Sequence, residues 1–563
     1  MRSACLCVVL LSVLGSISWG QCDIVVPDEC GTIQEAADVA AAGQTICLRP
    51  GVYQETLYLA GKHVTIRSWD EATGGLDPAG TIIDGGHAVR PFEFGPTHTG
   101  PVTLEGLTFR RGYGYEGGAV YSDTAELIIR DCIFTDNHTG GDSYNVGGAV
   151  YMRTAPMTVQ RCTFTGNTAE DGGAICAFYD ELYLEDCVFE DNRAVRSHRG
   201  GNGGVLYKVS SPCRFTNCLF VGNTAHRGGA IDFTWCYPKV VNCVFYDNSA
   251  TELGGAIVSF RLSNVVLRNT ILWGNDAPQA PQVAVGPPPY YASDAEVHYC
   301  CVEGGRSGVE LFNGVLVWGD GNIESSPVFA DGPGGDFHLL AASSCIDAGD
   351  VTLAPALDFD GVARPRGGGF DIGAYELPVT EVSSGGGQFG TGWNLMSLPG
   401  RPAPSHASAA LADLAALGNL LGTSFFDYTA GVGYGMYPGD FSHMSAGCGY
   451  WLNLSVGGDV SFFALAADVE AEIPLFEGWT LIGHPFEAPA LLADCSVTDG
   501  IEVKSYEDAV SAGWLTPPLY FYESTSYKSL MSGGSGDDNS LRAWHGYWCL
   551  SEAPGLSMVI SQP

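Results

Sequence analysis

The sequence predicts an all-β chain: a solenoid of stacked coils with a short helix at its N-terminal end, followed by two small tandem β-rich modules. Three observations predict it. The first is recurrence, with FTGNTAEDGGAI at 164–175 returning as FVGNTAHRGGAI at 220–231. More widely, Phe134, Phe164, Phe189, Phe220 and Phe245 stand three residues before Asn137, Asn167, Asn192, Asn223 and Asn248, and Leu272 before Asn275 gives a sixth copy. The second is period: Gly-Gly pairs begin at Gly117, Gly147, Gly172, Gly203, Gly228 and Gly254, in steps of 30, 25, 31, 25 and 26. A repeat of this size marks a stacked architecture. The third is alternation around Cys132, Cys162, Cys187, Cys218 and Cys243, as in LIIRDCIF and LYLEDCVF. That is strand periodicity, and no repeat carries a helical pattern.

The elements follow in order. Residues 1–20 hold one arginine, an apolar run and small residues before Gln21, the pattern of a secretory signal peptide. Thr32 and Glu35 form a capping-box pattern, so a helix is expected from there to about Ala42, with Gly43 as its stop. Such a helix would cover the open end of the solenoid. In each coil, strands turn at the Asn and Gly-Gly positions, where glycine supplies positive φ or room for a close backbone approach. Identical residues one period apart would stack about 4.8 Å apart. Phe would form an interior aromatic ladder, and Asn would share amide hydrogen bonds from coil to coil.

The F-x-x-N and GGA[IV] pairing resembles the repeat of the polymorphic outer-membrane proteins, which are surface-exposed right-handed parallel β-helices. GTIQEAADVAAAGQTICLRPGVYQETLYLAGKHVTI resembles the entry coils of pectin-lyase-like β-helix proteins. The resemblance implies a right-handed parallel β-helix over 21–325. Residues 326–377 resemble the choice-of-anchor Q segment that closes many secreted bacterial β-helices. Its matching residues are Cys345, Asp347, Gly349, Asp358, Asp360, Gly361, Arg364, Asp371, Gly373 and Glu376. Several turn-placed acids beside Arg364 could form a buried ion-pair network. Alternatively, Asp347, Asp358, Asp360 and Asp371 could hold calcium, the one cofactor candidate.

A Ser- and Gly-rich linker is expected at 378–389. After it, GWNLMSLP at 392–399 returns as GWTLIGHP at 478–485, and GYWL at 449–452 as GYWC at 546–549. The two β-rich modules therefore run 390–470 and 471–563. Their repeated Trp393, Trp451, Trp479 and Trp548 read as core. Tyr434, Tyr437, Tyr522 and Tyr527, set in Gly- and Ser-rich stretches expected to be loops, are the candidate glycan-binding residues.

Charge and cysteine usage narrow the partners. There are 63 acidic against 26 basic groups, and five lysines in all, so no nucleic-acid partner is expected and an anionic membrane is a poor one. No stretch after the leader is apolar enough to span a membrane. Of 19 cysteines, the five in the repeats read as a buried thiol ladder, without the spacing of a metal site. Disulfides are expected off that ladder, for example Cys30 with Cys47 or Cys213 with Cys236.

The composite reading is a secreted or outer-surface protein, non-catalytic, acting in adhesion or glycan contact. The alternative is a polysaccharide lyase or glycoside hydrolase, because pectin-lyase-like folds host both. Hydrolysis needs two carboxylates across a cleft. The acids Asp136, Asp180, Glu181, Glu185, Asp186, Glu190 and Asp191 mostly fall in repeated turn slots. Arg196, His198 and Arg199, in a one-coil insertion, form the basic cluster that a lyase would use, and otherwise read as a solvated loop.

Overall fold

The computed structural model describes residues 22–377 apart from 60, 96–99, 142–144, 196–199, 289–290, 341–342 and 367–368; beyond 377 it describes the strands and the helix named below with short adjoining stretches. The chain divides into two compact units, Met1–Ser325 and Ser326–Pro563.

The first unit is a right-handed parallel β-helix. Parallel pairing starts where Ile24–Val26 meets Thr45–Leu48 and runs to Asp294–His298 beside Leu316–Trp318. One coil consists of Val150–Arg153, Met157–Gln160, Thr163–Thr165 and Thr168–Ala169. The next coil lies above it in strict register, Val150 on Ile175, Met157 on Leu182 and Phe164 on Phe189. Side chains alternate along each strand, so one set fills a core of Ile, Leu, Val and Phe that is continuous along the axis.

The corners explain the repeat. The slot before each ladder Asn has positive φ: Asp136 54°, Gly166 65°, Asp191 54°, Gly222 64°, Asp247 55° and Gly274 69°. Asp and Gly share this slot because both tolerate the left-handed conformation. The first glycine of each pair also has positive φ, 65° at Gly147. The second is needed for closeness: a Cβ on Gly148 would lie 2.0 Å from the carbonyl oxygen of Gly173.

Both expected ladders are present. Phe109, Phe134, Phe164, Phe189, Phe220 and Phe245 stack with ring centroids 4.4–5.0 Å apart, all within 18° of parallel. At the corner, each Asn Nδ2 donates to the Oδ1 of the next Asn and to a Phe carbonyl, and each Oδ1 also accepts a backbone N–H. For Asn192 the donor distances are 3.1 Å to Asn223 Oδ1 and 2.8 Å to Phe164 O. Asn275 ends the series by donating to Gln282 Oε1 at 2.7 Å. The repeat cysteines are free and buried; the Cys132 N–H reaches Cys162 Sγ at 3.4 Å.

The helix is Ile33–Val39, three residues shorter than the expected stop. Its N-cap is as predicted, with Thr32 Oγ1 accepting the Glu35 N–H at 3.1 Å. It ends early because Ala40 leaves helical geometry (ψ 135°) and the Gly43 N–H goes to His63 O of the next coil at 2.7 Å. The disulfide also differs from expectation. Cys47 is joined to Cys22, not to Cys30, while Cys30, Cys213 and Cys236 are thiols.

In the second unit, Gly392–Ser397 pairs antiparallel with Gly449–Leu454, and Gly478–Gly483 with Gly546–Ser551. The register is the same in both: Leu395 opposite Trp451, and Leu481 opposite Trp548. Each sheet is completed by a hairpin, Leu420–Thr429 with Gly433–Met436 and Leu515–Glu523 with Ser526–Leu530. The repeated GWNL and GYW strings are thus partner strands of one sheet in each copy. The second copy also carries the helix Tyr506–Ser511 and a core of Leu475, Val497, Tyr506, Leu519, Tyr547, Met558 and neighbours. Val379–Ser383, read as linker, is a strand paired with Ser461–Leu465.

Candidate functional site

The Gly-Gly corner brings two rows of outward side chains together. One row precedes the glycines: Glu116, Val146, Asp171, Asn202, Arg227 and Leu253. The other lies on the strand that follows: Tyr121, Tyr151, Cys176, Tyr207, Asp232 and Val258, each on the next by register. The rows form an outer seam whose ends are apolar. At one end Val146, Tyr151 and Cys176 cluster with Tyr121, Phe178 and Tyr207, and at the other Leu253 with Val258, Phe260 and Ala284.

Between these clusters the seam is polar. Asn202 donates its N–H and Nδ2 to Asp171 Oδ1, both at 2.8 Å, and Arg227 Nε and Nη2 donate to Asn202 Oδ1 at 3.0 and 2.7 Å. Arg227 Nη2 stands 4.0 Å from Asp232 Oδ2, and Thr234 Oγ1 donates to Asp232 Oδ1 at 3.3 Å. Burial pushes the Asp232 carboxyl up to about 6; Arg227 opposes this and Asp171 adds to it. With no exposed area, Asp232 cannot meet a ligand while its neighbours keep this packing.

One corner away the surface is aromatic. Thr154, Tyr179, Ser210, Trp235 and Arg261 occupy the turn between the two strands of the large sheet, all with positive φ (51–66°). Tyr179 is 56% and Trp235 41% exposed, and beside them Tyr183 is 41% and Tyr237 57% exposed. The Arg261 guanidinium lies 5.2 Å from the Trp235 ring and 5.1 Å from the Phe260 ring. Four exposed rings therefore occupy this edge, two on each of two coils that have one coil between them. Sequence reading passed over them because alternation was used to find the core. The available signal was Tyr179 and Trp235 in a slot that other coils fill with Thr154, Ser210 and Arg261.

The closing segment resolves into ion pairing and turn capping. Arg364 Nη1 donates to Glu376 Oε2 at 2.6 Å and Nη2 to Gly373 O at 3.0 Å, with both charged side chains fully buried. Asp358 Oδ1 accepts the N–H groups of Asp360 and Val362, and its Oδ2 that of Glu376. Asp371 accepts from the N–H groups of Asp347 and Leu377, and Asp347 from Gly369. Burial, with Glu376 adding to it, pushes the Asp371 carboxyl up to about 8. Asp360 turns outward to His338 Nε2 at 2.9 Å. The four calcium candidates thus face backbone amides and a histidine. Among the described residues no group of three or more His, Cys, Asp or Glu side chains is placed to hold a metal ion.

Other candidates fall as follows. Arg196, His198, Arg199 and Tyr437 lie outside the described residues. Tyr434, Tyr522 and Tyr527 lie on strands rather than loops, Tyr434 opposite Tyr428 and Tyr522 opposite Tyr527 in their hairpins. Asp136, Asp186 and Asp191 hold positive-φ turns (53–54°), as their repeated slots suggest. Asp186 accepts from Asn217 Nδ2 at 3.0 Å, and burial pushes its carboxyl up to about 6. No described helix is long and apolar enough to cross a membrane.

These features define the class: a right-handed parallel β-helix built from repeated coils. Residues 80–236 match the family model described as the right handed beta helix region, and residues 242–259 match the Chlamydia polymorphic membrane protein repeat. No curated protein matches the chain at a significant level. Among solved structures, a PL6 family polysaccharide lyase from Pseudopedobacter saltans is 11% identical with a TM-score of 0.31, the match covering 56% of this chain and 96% of that one. The pectate lyase Pel9A is 12% identical with a TM-score of 0.34, over 61% of this chain and 90% of its own. A rice weevil pectin methyl esterase is 10% identical with a TM-score of 0.21, over 55% and 91%. Likenesses this distant carry no argument about substrate or chemistry.

Proposed function

We propose that this chain is a bacterial outer-surface protein that binds glycan without cleaving it. The match to the polymorphic membrane protein repeat supports surface placement, and the leader pattern at 1–20 supports export. The observation that carries glycan binding is the edge formed by Tyr179, Tyr183, Trp235 and Tyr237. Rigid coils hold these rings in solvent at a fixed spacing, about 10 Å for rings two coils apart. Each ring presents apolar area to the faces of sugar rings, and the rigid backbone removes the ordering cost that a loop would add on binding. A net charge of −37 favours neutral over acidic glycans.

Against catalysis stands the engagement of the candidate acids in turns and seams. Asp232 and Asp186 are both raised to about 6; Asp232 is sealed, and Asp186 holds a turn and accepts from Asn217 Nδ2. The test is affinity electrophoresis of the full-length protein through gels of neutral plant and algal polysaccharides, with a parallel assay for reducing ends and unsaturated uronate. Retardation without product is expected. The double variant Tyr179→Ala/Trp235→Ala should weaken it about 5- to 150-fold, at roughly 0.5–1.5 kcal/mol per ring. Loss in Tyr522→Ala/Tyr527→Ala instead would move the binding face to the C-terminal modules. Sustained turnover abolished by Arg196→Ala, His198→Ala or Arg199→Ala would overturn the reading.

A further inference from the structure

One interior row of the solenoid runs Ser122, Met152, Ala177, Lys208, Phe233 and Ser259, each on the next by register. None of the six has exposed area. A lysine in such a row needs a reason, because an ammonium taken out of water is costly unless its N–H groups are bonded.

The serines of the row show what a polar atom does there. Ser122 Oγ donates to Ala125 O at 2.9 Å and Ser259 Oγ to Ser263 O at 3.0 Å, each within the turn that follows on its own coil. Lys208 does the same over a longer reach. Its Nζ donates to Ser210 O on its own coil and to Asp180 O, at 2.7 Å, on the coil before. Ala177, the smallest side chain of the row, is its neighbour on that earlier coil and leaves the lysine stem room to cross. An alanine has no polar side-chain atom to offer its own turn, so the next coil supplies one.

The two carbonyls belong to the turns of the aromatic edge. Asp180 follows Tyr179, and Ser210 fills the same slot one coil on, where the Tyr179 N–H donates to Val209 O at 2.9 Å. Trp235 lies over Ser210, between the registered pairs Val209–Thr234 and Ser211–Cys236. Tyr179, Ser210 and Trp235 all have left-handed backbones, with φ of 66°, 66° and 56°. Residues other than glycine keep that conformation where their surroundings fix it.

We propose that Lys208 is a positioning residue for the aromatic edge: from the buried side its ammonium joins the Tyr179 turn to the Ser210 turn, and so sets Tyr179 in place relative to Trp235. The proposal rests on the glycan-binding reading of that edge. Lys208 has no exposed area and does not meet the ligand, so its effect on binding passes through Tyr179. Without the ammonium, the Asp180 and Ser210 carbonyls lose this shared donor, and the two turns are joined by backbone pairing alone.

The experiment pairs hydrogen exchange with glycan affinity in the full-length protein. Lys208→Met keeps an unbranched stem, of the kind Met152 already places in this row. It should speed exchange about tenfold in peptides covering 178–183 and 208–212, with the Asn ladder corners unchanged. In affinity electrophoresis through the neutral polysaccharide that retards the wild type most, it should weaken retention about 2- to 10-fold, the loss of one ring. The decisive reading is a double-mutant cycle. In a Tyr179→Ala background, Lys208→Met should weaken retention less than twofold further, because the ring it positions is gone. A purely structural lysine would give the same loss in both backgrounds, and that result would overturn the proposal, as would unchanged exchange at the two turns. Should no neutral glycan retard the wild type, the glycan reading fails, while exchange still decides whether Lys208 joins the turns. Should Lys208→Met not fold, Ala177→Val, which crowds the stem and leaves the ammonium, takes its place in the cycle with the same expected and refuting outcomes.

Discussion

Asn192→Ala tests whether the asparagine corner is held by its amides. Asn192 has no exposed area, and its side chain makes four hydrogen bonds. It donates to Phe164 O (2.8 Å) and Asn223 Oδ1 (3.1 Å), and its Oδ1 accepts from the Asn167 backbone N–H (3.1 Å) and Nδ2 (2.9 Å). Alanine removes all four. Two N–H groups of Asn167 and the Phe164 carbonyl lose these partners inside a corner with no exposed area, at about 1–3 kcal/mol for each buried group left unpaired. Partial relaxation lowers the sum to about 3–6 kcal/mol. Sequence alone suggests roughly 1–3 kcal/mol for a buried amide of this kind; the structure raises the figure because each asparagine serves two coils. The assay is guanidinium unfolding followed by circular dichroism, paired with native-state hydrogen exchange at the Asn167 N–H. Exchange is included because a solenoid can open locally rather than all at once. Glu190→Ala, an exposed neighbour on the same coil, is the control and should stay within about 0.5 kcal/mol. A loss no larger than the control, with Asn167 protection unchanged, would refute the reasoning.

Phe189→Ala removes a ring stacked at 5.0 Å on both Phe164 and Phe220 and should cost about 3–5 kcal/mol, read from the same unfolding curves. Arg364→Met leaves Glu376 buried without its cation and should cost about 3–5 kcal/mol, with the loss confined to exchange in the second unit. The Asp232 carboxyl is raised in the folded protein, to about 6, so the native state binds the extra proton and stability falls as pH rises from about 4 to 6. Asp232→Asn should therefore stabilise at pH 7 and have little effect at pH 4, and a pH-independent difference would contradict this. His338 is raised by Asp336 and Asp360 against burial, which lowers it. Its contribution is therefore complete below the unfolded histidine value and lost as pH rises through the folded one. His338→Gln should flatten the melting temperature over that window.

The sequence by itself determined what one coil must share with the next. Phe at one slot, Asn three later, Asp or Gly between and a glycine pair at the corner are all local demands: an interior ring, a bridging amide, a left-handed turn and a carbonyl that leaves no room for Cβ. Because each demand repeats, it is legible without knowing which residues touch. The paired strands of the C-terminal copies were legible for the same reason, as GWNL and GYW return together. What tertiary structure alone decided lies across coils at positions that do not repeat. Cys47 meets Cys22 rather than Cys30. Asp232 is set against Arg227 and sealed, and Lys208 is buried with its ammonium on the carbonyls of Asp180 and Ser210. Tyr179 and Trp235, 56 residues apart, share one edge. The calcium candidates read as a group in sequence but turn to separate amides, because a carboxylate in a tight turn caps the nearest N–H before it can reach a distant partner. Repetition makes the scaffold readable; unlike residues meet through coil length and register, which no single repeat encodes.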